Sequence, residues 1–132
     1  MHKNHFIIGF LIAALNDLNL LAGDIQNVFL SAPTKERIFF YAGDEWKCDK
    51  DGIVVVVQAL YGLKSSALQF RNYLANTLGN HLGFKSSLAD PDVWFKPSTA
   101  PNGFKYYSYI LVYVDDILIV DKSPRIFMKQ LE

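Results

Sequence analysis

The hydrophobic residues of this 132-residue chain fall into runs of different length and spacing. Residues 5–21 are apolar on nearly every side, which predicts a helix buried within a core, with Asn4 as its N-cap. Residues 22–26 predict a short strand that ends near Asp24. Residues 31–34 predict a loop, and the β-branched or aromatic runs 37–42 and 53–58 predict strands on either side of a charged, solvated loop at 43–52.

Helical spacing is clearest in the middle of the chain. Ser65 or Ser66 is a candidate N-cap for a helix that runs to about Leu82, and Gly83 is its candidate C-cap. Spacings of three and four residues place several apolar side chains on one stripe, which predicts the buried face of this helix: Ala67, Phe70, Leu74, Leu78 and Leu82.

The last third of the chain predicts a sheet. Residues 93–96 predict a short strand, and residues 97–103 predict a turn-rich linker. Two further strands are predicted at 105–114 and 116–120, on either side of an aspartate pair, and a helix is predicted after Pro124. Helices and strands in this order predict an α+β fold with a mainly antiparallel sheet. The length of 132 residues fits either one small domain or a piece of a larger one, and we expect residues 1–132 to be a single partial domain.

The composition restricts the class of protein. With 51% hydrophobic and 20% charged residues the chain can form a core, and its 13 basic and 13 acidic residues argue against a free-standing nucleic-acid binder. Its single cysteine excludes an internal disulfide and favours an intracellular setting. The apolar N-terminal run raises the alternative of a signal peptide, but it has no small-residue cleavage pattern and is too short to span a bilayer.

Two adjacent acids, Asp115 and Asp116, interrupt an otherwise apolar run. An unpaired buried carboxylate is costly, so both side chains need water or a cation. One continuous strand would point them to opposite faces, whereas a hairpin with its tip near Val114 and Asp115 exposes both. The turn lacks the Asn-Gly or Asp-Gly of common two-residue hairpins. From these residues alone, a solvated turn and a functional site explain the pair equally well.

A third acid, Asp24, also ends an apolar stretch. If the three carboxylates meet, they repel one another unless divalent cations neutralise them, and hard oxygen ligands of this kind suit Mg²⁺. Two such ions, roughly 3.5–4 Å apart, can activate an attacking hydroxyl and stabilise a leaving pyrophosphate.

Four ordered blocks of sequence resemble the reverse transcriptase of copia-type LTR retrotransposons: D-I-Q-N-V-F-L, A-L-Y-G-L-K-S-S, L-G-F-K-S-S-L-A-D-P-D-V-W and Y-I-L-V-Y-V-D-D-I-L. Together they cover about residues 10–125. The resemblance implies the palm of a right-hand RNA-directed DNA polymerase, an antiparallel sheet backed by helices. It makes Asp24, Asp115 and Asp116 the catalytic carboxylates, and the carbonyl of Ile25 a further ligand of two Mg²⁺ ions, for which Mn²⁺ can substitute.

The resemblance also implies five substrate-binding residues. Phe29 would lie under the incoming sugar and exclude a 2′-hydroxyl, Tyr61 and Gly62 would line the nucleotide pocket, and Tyr113 and Val114 would adjoin the primer end. Without the resemblance, Phe29 is an ordinary core aromatic, Tyr61-Gly62 is a turn before a helix, and Tyr113-Val114 is hairpin packing.

The chain departs from the family's pattern in three places. Leu68 and Phe70 replace small residues and a tryptophan, and Leu88 stands where a basic residue is common. Asp90-Pro91-Asp92 marks the family, but we expect of it only a role at a turn or a helix terminus. By resemblance, the basic fingers would precede residue 1, and the thumb, connection and ribonuclease H regions would follow residue 132, which also accounts for the neutral charge.

These observations predict the palm fragment of a retrotransposon Pol polyprotein. Its partners would be an RNA or DNA template-primer, deoxynucleoside triphosphates and the integrase and ribonuclease H regions of the same polyprotein, with no membrane. By resemblance it would act in a cytoplasmic virus-like particle or the nucleus. The alternative is a degenerate transposon remnant that folds or binds nucleic acid without polymerising.

Overall fold

Seven strands make up two antiparallel sheets in the computed structural model, which describes residues 3–25, 33–46, 52–58 and 66–131. The strands are β1 Asn19–Asp24, β2 Pro33–Tyr41, β3 Ile53–Gln58, β4 Lys85–Ser86, β5 Val93–Thr99, β6 Lys105–Tyr113 and β7 Asp116–Asp121. The larger sheet has the strand order β1-β7-β6-β5-β4, and β2 pairs with β3 in the smaller one. The described residues are thus a mixture of helix and antiparallel sheet.

Helices cover both faces of the larger sheet. They are α1 Lys3–Leu15, α2 Ser66–Asn76, which continues into a π-helical turn at Thr77–His81, and α3 Pro124–Leu131. Alternate residues of a strand point to opposite faces, so β6 and β7 contribute to two hydrophobic clusters. One cluster joins Ile110, Val112, Ile117 and Ile119 to α2 and α3, and the other joins Leu111, Leu118 and Val120 to Ala13 of α1.

The predicted stripe of α2 is largely confirmed. Phe70, Leu74, Leu78 and Leu82 are buried, whereas Ala67 is exposed because the first turn of the helix borders an open cavity. Gly83 has φ +72°, the left-handed conformation expected after a helix end. Lys96 donates a hydrogen bond from Nζ to the carbonyl of Leu82 at 2.8 Å, which satisfies a carbonyl near that end.

The prediction of a buried N-terminal helix is wrong. Gly9 and Ala13 face the sheet, and a Cβ at Gly9 would lie 3.3 Å from Leu118, so the small residues let α1 approach closely. Because the narrow, small-residue face makes the contact, large side chains are left exposed: Ile7, Ile8, Phe10, Leu11 and Leu15. None of the described helices has the length and hydropathy needed to cross a bilayer.

The helix also ends earlier than predicted, and the strand after it begins earlier. Asp17 has φ +50°, and the Leu18 amide donates to the carbonyl of Ala13 at 2.9 Å, which are the features of a Schellman end. Residues 19–21, predicted as helix, belong to β1, because six consecutive residues of this strand pair with β7. Pairing with a neighbouring strand here overrides the apolar pattern of the sequence.

The turn-rich segment 97–103 was also predicted incorrectly. Strand β5 continues through Thr99, with Pro97 opposite Tyr107, and the hairpin turns at residues 100–104. Proline is tolerated because β4 pairs with β5 only at Trp94 and Phe95, so no strand of the described residues lies on the other side of Pro97.

Other predicted elements agree with the described residues to different degrees. The strand at 53–58 and the helix after Pro124 are confirmed, whereas the strand predicted at 37–42 begins at Pro33 inside the predicted loop. Strand β4 was not predicted, because two residues are too few to show an alternating pattern. Part of the loop predicted at 43–52 forms a 3₁₀ turn at Asp44–Trp46.

Candidate active site

A tight turn joins β6 to β7 and carries the aspartate pair. Tyr113 pairs with Asp116, so that Val114 and Asp115 are the two central residues of a hairpin turn. Val114 has φ +57°, and no other positive φ is found in this turn, the pattern of a type II′ turn. Glycine is the usual residue at the first central position of such a turn. The hairpin therefore forms without its preferred residue, and Val114 adopts a backbone conformation that is strained for a β-branched residue.

Asp24 lies beside this turn. Strand β1 pairs with β7 over six residues, and the last pair joins Asp24 to Asp116. Immediately beyond it, the amide of Ile25 donates to the carbonyl of Asp115 at 2.8 Å. The structure therefore brings the three predicted carboxylates to one end of the larger sheet, together with Ile25, whose carbonyl was expected to be a metal ligand.

Strand pairing also determines which face these side chains occupy. Direct cross-strand partners share a face, so Asp24, Asp116 and Tyr113 lie on the face that α1 covers. Phe6 of α1 packs edge to face against Tyr113, with ring centroids 6.3 Å apart. The opposite face at this end carries Ile117 and Val112, which are buried under α2 and α3.

The carboxylates are accessible to solvent. Asp24 and Asp116 are exposed and Asp115 is partly buried, as a site that binds ions and substrate from solution requires. Among the described residues, however, no three His, Cys, Asp or Glu side chains are arranged to hold a metal ion. Hard carboxylate oxygens are the donors that Mg²⁺ prefers, so the chemistry of the donors fits the ion. Binding would have to draw the three side chains together against their mutual repulsion.

Only some of the predicted substrate-binding residues can be placed. Tyr113 is 42% exposed and Val114 is 70% exposed, so both have free surface beside the carboxylates. Phe29, Tyr61 and Gly62 lie outside the described residues. A cavity of about 630 Å³ opens on the other side of the turn, between α2 and residues 112–114, with Trp94 in its wall.

The Asp90-Pro91-Asp92 segment makes more contacts than its expected turn role requires. Asp92 accepts a hydrogen bond from Arg71 of α2 at 2.6 Å, and Asp90 Oδ2 lies 2.5 Å from His5 Nδ1 of α1. The histidine contact is close but does not have the alignment of a hydrogen bond. The two acids on either side of a proline can be recognised in the sequence. Their partners, His5 and Arg71, are distant in sequence and could not be identified from the sequence alone.

A buried carboxylate at the opposite end of the sheet was not anticipated. Asp121 is only 4% exposed. Its Oδ2 accepts from Ser108 and, at 3.2 Å, from Tyr106, while Oδ1 accepts from the Ser123 amide at 2.6 Å. Burial, and next the negative charge of Asp121, raise the pKa of Tyr106 above its ordinary value. This acid is satisfied by protein donors, so its role is structural.

Comparison with known proteins points to transposons. The chain is 29% identical over 120 residues to a retrovirus-related Pol polyprotein from transposon TNT 1-94 of Nicotiana tabacum, with 89% of the chain and 9% of that protein aligned. It is 30% identical over 116 residues to the Pol polyprotein from transposon RE1 of Arabidopsis thaliana, with 83% of the chain and 7% of that protein aligned. A transposon Ty5-1 protein of Saccharomyces cerevisiae is 28% identical over 106 residues, 79% of the chain and 32% of that protein.

These similarities cover most of the chain but a small part of each relative. No family model and no solved structure matches the chain. The chain is therefore similar to a segment of retrotransposon Pol polyproteins, which supports a transposon Pol origin.

Proposed function

We propose that this chain is the palm portion of a reverse transcriptase, an RNA-directed DNA polymerase, within a retrotransposon Pol polyprotein. The observation that carries the proposal is the pairing of Asp24 with Asp116 beside the turn that holds Asp115. A solvated turn would not require a third acid from a distant strand at the same place. The similarity to Pol polyproteins supports the proposal independently, because it does not depend on the geometry.

The three carboxylates would hold the metal ions, together with the carbonyl of Ile25. When bound, two Mg²⁺ ions about 3.5–4 Å apart supply activation of the primer 3′-hydroxyl and stabilisation of the leaving pyrophosphate. The protein's own contribution is to bring Asp24, Asp115 and Asp116 together through the pairing of β1 with β7 and the hydrogen bond from the Ile25 amide to the Asp115 carbonyl. Charge stabilisation and positioning account for most of the catalysis of phosphoryl transfer, so this arrangement suits the reaction.

The substrate would approach over the exposed side of the turn. Tyr113 and Val114 present free surface next to Asp115, which suits contact with the last nucleotide of a primer. We extend the proposal to Phe29 as the residue that excludes a 2′-hydroxyl, and to Tyr61 and Gly62 as part of the nucleotide pocket. The partners would then be a template-primer and deoxynucleoside triphosphates.

A second candidate function is that of a non-catalytic transposon remnant. One observation favours it: among the described residues no ready group of three metal-ligating side chains is present. Such a remnant would retain the fold and the acids but would not bring them together around an ion.

Primer extension separates the two candidates. We expect the 132-residue chain alone to extend a primed RNA template poorly, because by the resemblance it would lack the basic fingers that hold the triphosphate in place for attack. A longer chain that restores fingers and thumb should extend the primer with Mg²⁺. In that chain Asp115→Asn or Asp116→Asn should abolish extension, and Phe29→Ala should admit ribonucleotides.

Asp17→Asn is the matched control for this experiment, because Asp17 is an exposed acid near the opposite end of β1 and should not affect extension. If the longer chain binds a template-primer but does not extend it with Mg²⁺ or Mn²⁺, the remnant is the correct assignment. Efficient extension by the 132-residue chain would instead contradict the role given to the fingers.

A further inference from the structure

The segment Asp90-Pro91-Asp92 is a tight turn held by its own polar groups. Asp90 Oδ1 accepts the amide of Asp92 at 2.9 Å, and the carbonyl of Asp90 accepts the amide of Val93 at 3.1 Å. The carbonyl of Pro91 accepts the hydroxyl of Ser86 at 3.0 Å. Several of the segment's own polar groups are thus used to hold one conformation immediately before β5.

Side chains of this segment also contact helices on opposite faces of the sheet. Asp92 contacts Arg71 of α2, and Asp90 contacts His5 of α1. We call these four residues the Asp90–Asp92 bridge. Arg71 is 58% exposed, and ion pairs this exposed contribute little to overall stability. The bridge can instead fix the positions of α1, α2 and the start of β5 relative to one another.

The bridge is connected to the turn that carries Asp115. The carbonyl of Asp92 accepts the amide of Val112 at 2.9 Å, and the β5–β6 pairing begins next to it at Val93 and Leu111. Beyond Val112, the part of the chain that the structure describes pairs Tyr113 with β7 alone. Asp92 is therefore the last backbone partner on the β5 side before the turn.

Helix α1 also contacts the residue that precedes the turn, Tyr113. Phe6, next to His5 in the chain, packs its ring against Tyr113. The contact of His5 with Asp90 and that of Phe6 with Tyr113 therefore tie one helix to both the bridge and the turn. A displacement of Asp90 relative to α1 would be transmitted to Tyr113, which is paired with Asp116.

We infer that Asp90 and Asp92, held by His5 and Arg71, are positioning residues for the Val114–Asp115 turn. The effect of this positioning on metal binding rests on the function proposed above. Residues behind metal ligands orient them, and losing such a residue commonly weakens metal affinity while the fold is kept.

The test uses the 132-residue chain with Arg71→Ala and Asp90→Asn as separate variants. Asn at position 90 keeps an oxygen to accept the Asp92 amide and loses the charge that faces His5. Asp17→Asn is the matched control, because it removes an acid that pairs with Lys122 at 3.5 Å at the far end of β1.

The first measurement is amide hydrogen exchange. The Ile25 amide reports on the turn, because its acceptor is the carbonyl of Asp115, and the Ala100 amide, bonded to Phe104, is the reference at the other end of β6. We expect exchange at Ile25 to become about 10-fold faster in both bridge variants, with Ala100 unchanged, because opening is local. If these contacts stabilise only the Asp90–Asp92 segment, the exchange rate at Ile25 will stay unchanged in both variants. That result would overturn the inference.

The second measurement is the dissociation constant of Mn²⁺. We expect it to rise about 10-fold in the bridge variants, to recover in part in Arg71→Lys, and to stay unchanged in Asp17→Asn. If the wild-type chain binds no Mn²⁺, the proposed metal site fails, while exchange at Ile25 still decides the positioning role. If both bridge variants lose the fold, these residues act in folding and the inference is rejected.

Discussion

At the scale of single residues, Val114 is the unusual feature of the candidate site. A non-glycine residue held in a sparsely populated backbone conformation costs on the order of 1–3 kcal/mol. Val114 is 70% exposed, so burial of its side chain offsets little of that cost. The strain lies beside Asp115, in the turn that joins β6 to β7.

Replacing this valine should therefore stabilise the protein. We expect Val114→Gly to raise the free energy of unfolding by about 1 kcal/mol, because relief of strain exceeds the entropy that glycine adds to the unfolded chain. Urea unfolding measures the change. Val114→Ala, which keeps a Cβ, should show a smaller gain. A loss of stability in Val114→Gly would mean that the valine side chain makes contacts that outweigh the strain.

At the scale of elements, a buried polar network joins three strands and the residue that precedes α3. Ser98 of β5 lies 2.6 Å from Ser108 of β6, which donates to Asp121 of β7, and Asp121 accepts the Ser123 amide just before α3. A buried carboxylate is tolerated where hydrogen-bond donors surround it. Here each of the three strands supplies one hydrogen-bonding side chain of the network: Ser98, Ser108 and Asp121. The network therefore holds the strands in register at the end of the sheet opposite the candidate site.

Alkaline unfolding tests this network through Tyr106. Its pKa is raised above the ordinary value of about 10 by burial and by the charge of Asp121. Its contribution to stability is therefore fully present below about pH 10 and is lost as the pH rises through the raised pKa. Tyr106→Phe should cost about 1 kcal/mol at pH 8, from the lost hydrogen bond.

The difference in unfolding free energy between wild type and Tyr106→Phe should then shrink above about pH 10, where the unfolded tyrosine begins to ionise. Denaturant unfolding at pH 8 and at pH 11 measures both differences. An equal difference at the two pH values would contradict the assigned effect of burial and of Asp121.

At the scale of the whole molecule, the two faces of the larger sheet carry different kinds of residues. The face under α2 and α3 holds the larger hydrophobic cluster, while the face under α1 carries Asp24 and Asp116 at its edge. The described chain also exposes several large apolar side chains on α1 and on the β2–β3 pair, among them Leu15, Tyr41 and Val57. Its relatives are several times longer.

Divalent cations should stabilise the whole fold if the three carboxylates form one site. A ligand that binds only the folded state stabilises it by about 2.7 kcal/mol at 100 times its dissociation constant. We expect Mn²⁺ or Mg²⁺ to raise the melting temperature. Asp115→Asn should weaken that effect and, by relieving repulsion, raise the melting temperature of the metal-free protein. A melting temperature that stays constant through millimolar Mn²⁺ would count against the site.

The Asp17→Asn control belongs to the same titration. Asp17 is fully exposed in the turn before β1, so its loss should leave the response to Mn²⁺ as in the wild type. A weakened response in this variant would mean that the cation acts through overall charge.

The sequence by itself determined the features that depend on neighbouring residues. The spacing of Phe70, Leu74 and Leu78 identified the buried face of α2, Gly83 identified its end, and Pro124 identified the start of α3. The adjacent acids in an apolar run were sufficient to predict the β6–β7 hairpin, because a continuous strand would have buried one of them. Such signals are local, since helix periodicity, capping and turn formation are decided within a few residues.

The tertiary structure alone decided which distant residues meet. The pairing that begins β1 at Asn19 and sets Asp24 against Asp116 depends on β7, and the contacts of Asp90 and Asp92 depend on helices from other parts of the chain. It also decided that α1 packs through Gly9 and Ala13 and leaves its large side chains exposed. Register and face are set by packing between elements far apart in sequence, and a hydrophobic pattern does not specify its partner.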